Sequence, residues 1–372
     1  MFFLTYSNLW SISVFLPLTY TIFVFSGLLY CAPTLKNQTY FAVTKSKSLF
    51  SKLNTFDLLP LMYSPLLILL LVLFMWSAPT TSAWFGHIIF ANYQLKMTYF
   101  VFILFFFITY ILLTTMYFTS REVYDYFIVL YNFFYWIVLL FMANTIFTAI
   151  FIIEVISAVI FLLIVTSTFT SNYFYRNLDL SFGNLFQNST PYTFLQALIY
   201  YFWISLISAL NLFIFILLLY IKLHTLDWFT LEHVFKYLTL VTSVKDLLGI
   251  GCAWLVFLLS IFIKSGIAPL YLYKPTFFKG LPFYTLAFYI CFFYFFFFLF
   301  TIHLLNAYFA EIFYFYSFAI TLLVLLGLFT LFFIICDSYY LKVFLAVSSI
   351  LNSLFVFLAL TSNHATSITF WL

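Results

Sequence analysis

The stretch LLGIGCAWLVFLLSIFIKSGIAPLYLYKP, residues 247–275, decides the fold. From Leu247 to Ile263 it carries no charge, and then Lys264, Gly266, Pro269 and Pro275 follow in quick succession. An apolar run approaching about 20 residues has the length of a membrane-crossing helix. Glycine and two prolines directly after it make a continuous helix untenable. Non-helical backbone at membrane depth is tolerated only where protein or a water-filled cavity satisfies its polar groups. A lysine beside such a break is the usual arrangement of an ion site in a transporter. A second explanation stays open on position alone, because a lysine one turn from a helix end can snorkel to the headgroups.

The rest of the chain repeats the apolar theme. Of its 372 residues 66% are hydrophobic and 6% are charged, and the mean hydropathy is +1.17. Soluble chains carry roughly 25% charged residues, so soluble enzymes, nucleic-acid modules and disordered scaffolds are excluded. Outer-membrane strands alternate apolar and polar residues over segments of roughly ten, whereas the runs here are about twice that length. The predicted fold class is therefore all-α: a polytopic membrane protein with about ten transmembrane helices in a single transmembrane domain, residues 1–372. Spans are predicted near 9–30, 58–78, 97–119, 126–143, 146–168, 194–220, 247–268, 282–305, 312–336 and 341–361. The connections include CAPTLKNQTYFAVTKSKSLFSKLNTFD, the segment from Thr170 to Thr193, and IKLHTLDWFTLEHVFKY.

The loops after odd-numbered spans hold Lys36, Lys45, Lys47, Lys52, Arg121, Arg176, Lys274, Lys279 and Lys342, and the opposite side holds Lys96, Lys222, Lys236 and Lys245. By the positive-inside rule the richer side is cytoplasmic or matrix-facing and the N-terminus is outside. Phe 58 and Tyr 30 against Gly 8 and Trp 8 suggest T-rich codons of an AT-rich, organellar genome. The opening MFFLTYSNLW has no Arg-rich transit segment, so insertion where the chain is made is expected. The sequons at Asn37 and Asn188 are then expected to stay unmodified. Cys31, Cys252, Cys291 and Cys336 form no CxxC and no cluster with histidine, which indicates neither a disulfide framework nor a metal or iron–sulfur site.

A charge at the centre of a membrane helix costs about 2.5–3.5 kcal/mol on insertion scales, so such residues are functional candidates. Glu154 lies in the middle of FIIEVISAVIFLLIV with Ser157 on the same face; the alternative is a neutral buried carboxyl bonded to a neighbouring helix. Lys264 has Ser260 one turn before it. The sixth span presents Tyr201, Ser205, Ser208 and Asn211 at helical spacing, either as interhelical hydrogen bonds or as a hydrated path. His303, near the end of the eighth span, could titrate near neutral pH or simply sit at the interface. Haem lacks paired axial ligands, and no glycine-rich phosphate loop is present.

The run FIKSGIAPLYLYKPTFFKGLPF resembles the signature of subunit 2 of NADH:quinone oxidoreductase, complex I, in which an apolar helix reaches a lysine and then Pro-Phe-His-x-Trp-x-Pro-Asp/Glu followed by Gly and Pro. Lys264, Pro269, Pro275, Gly280 and Pro282 match in spacing, while Tyr271, Tyr273 and Thr276 replace the family's His, Trp and acidic residue. A second block, LKVFLAVSSILNSLFVFLAL, is similar to the family's Leu-Lys-Arg-Leu-Leu-Ala-Tyr-Ser-Ser-Ile segment, keeping Leu341, Lys342, Leu345, Ala346, Ser348, Ser349 and Ile350. Glu154-Val155 falls in the fifth helix, where the family carries a glutamate. The resemblance covers the chain from about residue 146 onward; the first four helices match only as apolar spans. Two family lysines are replaced, by Tyr200 in the sixth helix and Tyr294 in the eighth.

The resemblance implies a mitochondrially encoded, antiporter-like subunit of the proton-pumping membrane arm, in the mitochondrial inner membrane, with a discontinuous seventh helix. Residues 126–305 would form the first antiporter-like repeat and 312–361 part of a second. Glu154 would be the carboxylate that controls a neighbouring lysine, and Lys264 the proton carrier at the break. Tyr200, Tyr201, Ser205, Ser208, Tyr294 and His303 are the candidate relay. No catalytic, cofactor-binding or metal residue is expected on this chain: NADH, FMN, iron–sulfur clusters and ubiquinone would be held by other subunits. Expected partners are the other membrane-arm subunits and lipids. The tail TSNHATSITFWL is too short and polar to start another span, so a separate polypeptide is expected to supply the remaining helices. A structural, non-pumping complex I subunit and a stand-alone cation/proton antiporter are the alternatives.

Overall fold

The computed structural model describes residues 81–83, 86–90, 92–115, 120–177, 191–241, 244–267, 269–336 and 340–361. The predicted spans 9–30 and 58–78, the long loop between them and both sequons lie outside these residues. The protein is an all-α polytopic membrane protein, with one small exception to its helical character. Strands β1 (Thr81–Ala83) and β2 (Ile88–Phe90) pair antiparallel, Thr81 opposite Phe90 and Ala83 opposite Ile88. Long apolar runs gave no sign of so short a hairpin.

Twelve helices are described: α1 (Asn92–Thr115), α2 (Ser120–Met142), α3 (Ile146–Asn177), α4 (Pro191–Leu223), α5 (Trp228–Val241), α6 (Val244–Ser265), α7 (Tyr273–Gly280), α8 (Phe283–Phe288), α9 (Phe295–Ala307), α10 (Ala310–Phe315), α11 (Ser317–Cys336) and α12 (Leu341–Thr361). A π-helical segment, Tyr289–Tyr294, joins α8 to α9 without a break in the chain's helical course. Among the described residues five stretches are long and apolar enough to cross a membrane: Ile146–Ser167, Thr193–Leu223, Thr285–Asn306, Ser317–Ile335 and Leu341–Thr361.

The described residues fall into two compact units, Met1–Asn144 with Phe151–Ser181 and Thr145–Ile150 with Phe182–Leu372. In the first, the hairpin is tied to the end of α2: Asn144 donates from its backbone N to the His87 carbonyl (2.8 Å) and from its amide to the Gly86 carbonyl (2.8 Å). Phe105 of α1 meets Phe134 of α2 with ring centroids 4.4 Å apart. Between membrane helices such ring contacts contribute through close van der Waals packing.

The second unit begins with a reciprocal N-cap. The Thr148 backbone N donates to Thr145 Oγ1 and the Thr145 backbone N to Thr148 Oγ1, each at 3.3 Å, which satisfies two donors that the first turn of α3 would leave orphaned. Ser260, Ser349 and Ser353 satisfy their hydroxyls on carbonyls three residues back, and so sit in apolar helices without needing water. α4 packs along α6 and against α7, and α12 packs against α7 and α11. An aromatic core joins them: Phe215 of α4 stacks on Phe257 of α6 at 4.6 Å, and Phe309 lies 5.5 Å from Phe257 and 5.4 Å from Phe235 of α5.

Three connections differ from expectation. IKLHTLDWFTLEHVFKY is not a loop: it contains α5, whose Trp228, Leu231 and Phe235 are buried at helical spacing while Phe229, Lys236 and Tyr237 face outward. Thr170–Thr193 is partly helical, since α3 continues to Asn177 and α4 starts at Pro191. The predicted span 312–336 is interrupted at Tyr316, between α10 and α11, where the backbone leaves helical geometry at φ −95° and ψ 9°.

Candidate functional site

The helix carrying Lys264 ends one residue later, in a glycine-terminated cap. Gly266 takes φ +62°, a left-handed conformation that other L residues adopt at a cost. Its N–H donates to the Ile263 carbonyl (3.3 Å), and the Ile267 N–H to the Phe262 carbonyl (3.0 Å). These two bonds are the Schellman pattern. The remaining carbonyls of the last turn are taken by side chains. Ser265 Oγ donates back to Ile261 (2.6 Å), and the Tyr273 hydroxyl donates to Ile263 (2.8 Å) and Lys264 (3.2 Å). Lys274 Nζ donates to the Ser265 carbonyl (3.2 Å). The discontinuity expected after Lys264 is thus present, and the short helix α7 folds back to close the end of α6.

Lys264 itself is 5% exposed. That burial is incompatible with a side chain lying along the lipid-facing surface. Ser260, one turn before, accepts at its carbonyl the Ser208 hydroxyl of α4 (3.2 Å), which fixes the two helices in register just above the break.

Lys274 is the residue that sequence reasoning missed. Expected among the loop charges of the richer side, it is instead 1% exposed and lies in the first turn of α7. Its ammonium sits 3.7 Å from the Tyr294 ring centroid and 5.8 Å from that of Phe278. A cation over an aromatic face is attracted by the ring quadrupole, and the C-terminal end of α6 presents the negative pole of the helix dipole to the same group. Among the described residues no carboxylate lies within ion-pair distance of Lys274. The signal that could have found it was Pro275, since proline is admitted to a helix in its first turn; Tyr-Lys-Pro followed by Gly280 marks a short helix with Lys274 at its start.

Tyr294 belongs to the π-helical segment, a geometry that is rare and frequent at functional sites. Its hydroxyl donates to the Ser349 carbonyl of α12 (2.9 Å) and is in hydrogen-bonding contact with the Ser353 hydroxyl. Tyr201 of α4 is buried and stacks on Phe277 at 5.5 Å, and Tyr289 packs on Phe277 at 5.2 Å. Tyr201, Tyr289 and Tyr294 all lie within electrostatic range of Tyr273. The structure therefore gathers Tyr201 and Tyr294 around the break.

The other sequence candidates have local partners. Tyr200 is 38% exposed and takes a long hydrogen bond from Gln196 (3.5 Å). Ser205 turns its hydroxyl to the Phe202 carbonyl of its own helix (2.9 Å). Ser208 is buried on the α6 side, as described above. His303 is half-buried in α9 against Tyr308, centroids 5.8 Å apart. Glu154, half-buried in α3 of the first unit, receives the Ser157 hydroxyl at its carbonyl (2.7 Å) and at Oε2 (3.3 Å).

Lys342 closes the far end of α7. Its Nζ donates to the Leu281 carbonyl at 2.6 Å, next to Pro282, and so binds α12 to the bend where α7 stops. Gly280 permits the close approach of α7 to α4: a Cβ there would collide with the Thr193 carbonyl and the Ala197 side chain.

No family model and no curated protein matches the sequence. The fold is similar to that of a chain in the structure of the membrane-bound sulfane sulfur reductase (MBS), an archaeal respiratory membrane complex, with a TM-score of 0.62 and 13% identity over 89% of this chain and 51% of that one. This chain spans about half the length of that subunit. At such identity the similarity speaks for the fold: this is a multi-pass membrane protein built from helices, one of them broken beside a buried lysine.

Proposed function

We propose that this chain is an antiporter-like, proton-translocating subunit of the membrane arm of a respiratory complex I, resident in the mitochondrial inner membrane. The observation that carries the reading is the end of α6, where Lys264 is buried beside a helix break whose carbonyls are all engaged. The fold it shares with a chain of an archaeal respiratory membrane complex supports it, as do the matched lysine, glycine and prolines of residues 264–282. In this reading electrons pass from NADH to ubiquinone on other subunits, which hold the FMN and iron–sulfur clusters. This chain moves protons by alternating the charge of a buried lysine, because desolvation disfavours the ammonium unless a negative partner is near. Glu154 keeps the controlling part that the resemblance gives it, and Tyr201 and Tyr294 are relay stations. Membrane-arm neighbours and lipid cover the strongly exposed apolar faces of α11 such as Phe318, Phe329 and Phe332.

A structural, non-pumping subunit is the second reading, favoured by Tyr200 on an exposed face where the resemblance expects a lysine. Native purification of the tagged chain separates subunit from independent transporter: co-migration with NADH-oxidising activity in a large membrane complex is expected, and migration alone would reject the proposal.

A further inference from the structure

Lys274 belongs to none of the roles assigned so far. A lysine is buried this deeply only when something specific holds it. Here the holders are one carbonyl, that of Ser265, and two aromatic faces, that of Tyr294 and, farther off, that of Phe278. Gly266 is shaped to the same end, because a Cβ there would stand 2.9 Å from Lys274 Cδ. Among the described residues the titratable side chains set around this pocket are Tyr201 from α4, Tyr273 from α7, and Tyr289 and Tyr294 from the π-helical segment, and none of these is a carboxylic acid.

The hydroxyl on the ring beneath the ammonium leads onward. With Nζ 3.7 Å from the ring centroid, the phenol oxygen is within reach of a single bridging water. That oxygen contacts Ser353 and Ser349 of α12. Resting on the proposed function, we infer that Lys274 is a second proton-carrying lysine, supplied from the short helix α7, and that the Tyr294 hydroxyl is its outlet toward α12. The step balances with water as the acceptor: the ammonium N–H breaks and its proton passes to the phenol oxygen, the phenol's own O–H breaks and its proton passes to a water molecule on the α12 side, and a neutral amine, a neutral tyrosine and a hydronium ion result. Reprotonation of the amine resets the site.

The test uses the intact complex reconstituted in proteoliposomes, with protons translocated per NADH oxidised as the readout and assembly followed on native gels. K274M and K274R are both expected to assemble, to oxidise NADH and to lose proton yield. Arginine keeps the charge but does not release its proton near neutral pH, so a K274R complex with full yield means a merely structural cation and overturns the inference. Should a lysine variant fail to assemble, Y294F decides, since it deletes one oxygen and keeps the ring: reduced yield is expected, and full yield overturns the outlet and the inference. A wild-type complex that oxidises NADH but moves no protons removes the proposed function itself, and this inference with it.

Discussion

Gly266 and Tyr273 show how single residues build the break. Gly266 holds φ +62° with Lys274 and Tyr273 side chains pressed against its Cα face. Gly266→Ala is expected to cost about 1–2 kcal/mol from backbone strain alone, and more if Lys274 cannot retreat; chemical unfolding in detergent micelles reads the loss. Tyr273→Phe leaves the Lys264 carbonyl without its hydroxyl donor and is expected to destabilise by about 1–3 kcal/mol, the cost of an unmade buried hydrogen bond. An unchanged unfolding midpoint for both variants would mean that the break is held by neighbouring helices and not by its own cap. At this scale the sequence was legible where chemistry is local. Lys264, Gly266 and Pro269 announce a stopped helix. Lys274 was not legible, because its burial depends on α7 folding back onto α6, a long-range event that leaves only Pro275 as a trace.

Among the elements, α7 is the piece on which the site depends, being short and wedged against α4 and α12. Gly280→Val is expected to overpack its contact with Thr193 and Ala197, costing about 1–3 kcal/mol, with protection of α7 amides in hydrogen exchange reduced as the sharper readout. Helix α5 offers a contrasting case. Lys236 donates to Glu232 Oε1 at 2.7 Å, and that hydrogen bond, followed by the charge attraction, raises the lysine above its ordinary pKa. A raised folded-state value means that the pair's contribution is complete at neutral pH and fades as pH climbs through that raised value. The pair is exposed and one turn apart, so little rests on it: Glu232→Gln is expected to leave the neutral-pH unfolding midpoint unchanged within error, and a clear drop would assign α5 a larger part in stability. The 3.6-residue recurrence of Trp228, Leu231 and Phe235 made α5 readable, but its charges suggested a loop. The π-helical turn at Tyr289–Tyr294 had no sequence signal.

For the whole molecule, composition alone established the class, because 6% charged residues cannot cover a soluble surface. The pairing of elements around the break needed tertiary information: a tyrosine of α4, two residues of α7, a π-helical tyrosine and serines of α12 meet from distant parts of the chain. In the proposed function the buried lysine at the end of α6 carries protons during respiratory electron transfer. The most direct measurement counts protons translocated per NADH oxidised in proteoliposomes holding the native complex with Lys264→Met in this chain. The account predicts intact assembly, continued NADH oxidation and a lower proton yield than wild type. An unchanged yield at an unchanged oxidation rate would contradict it.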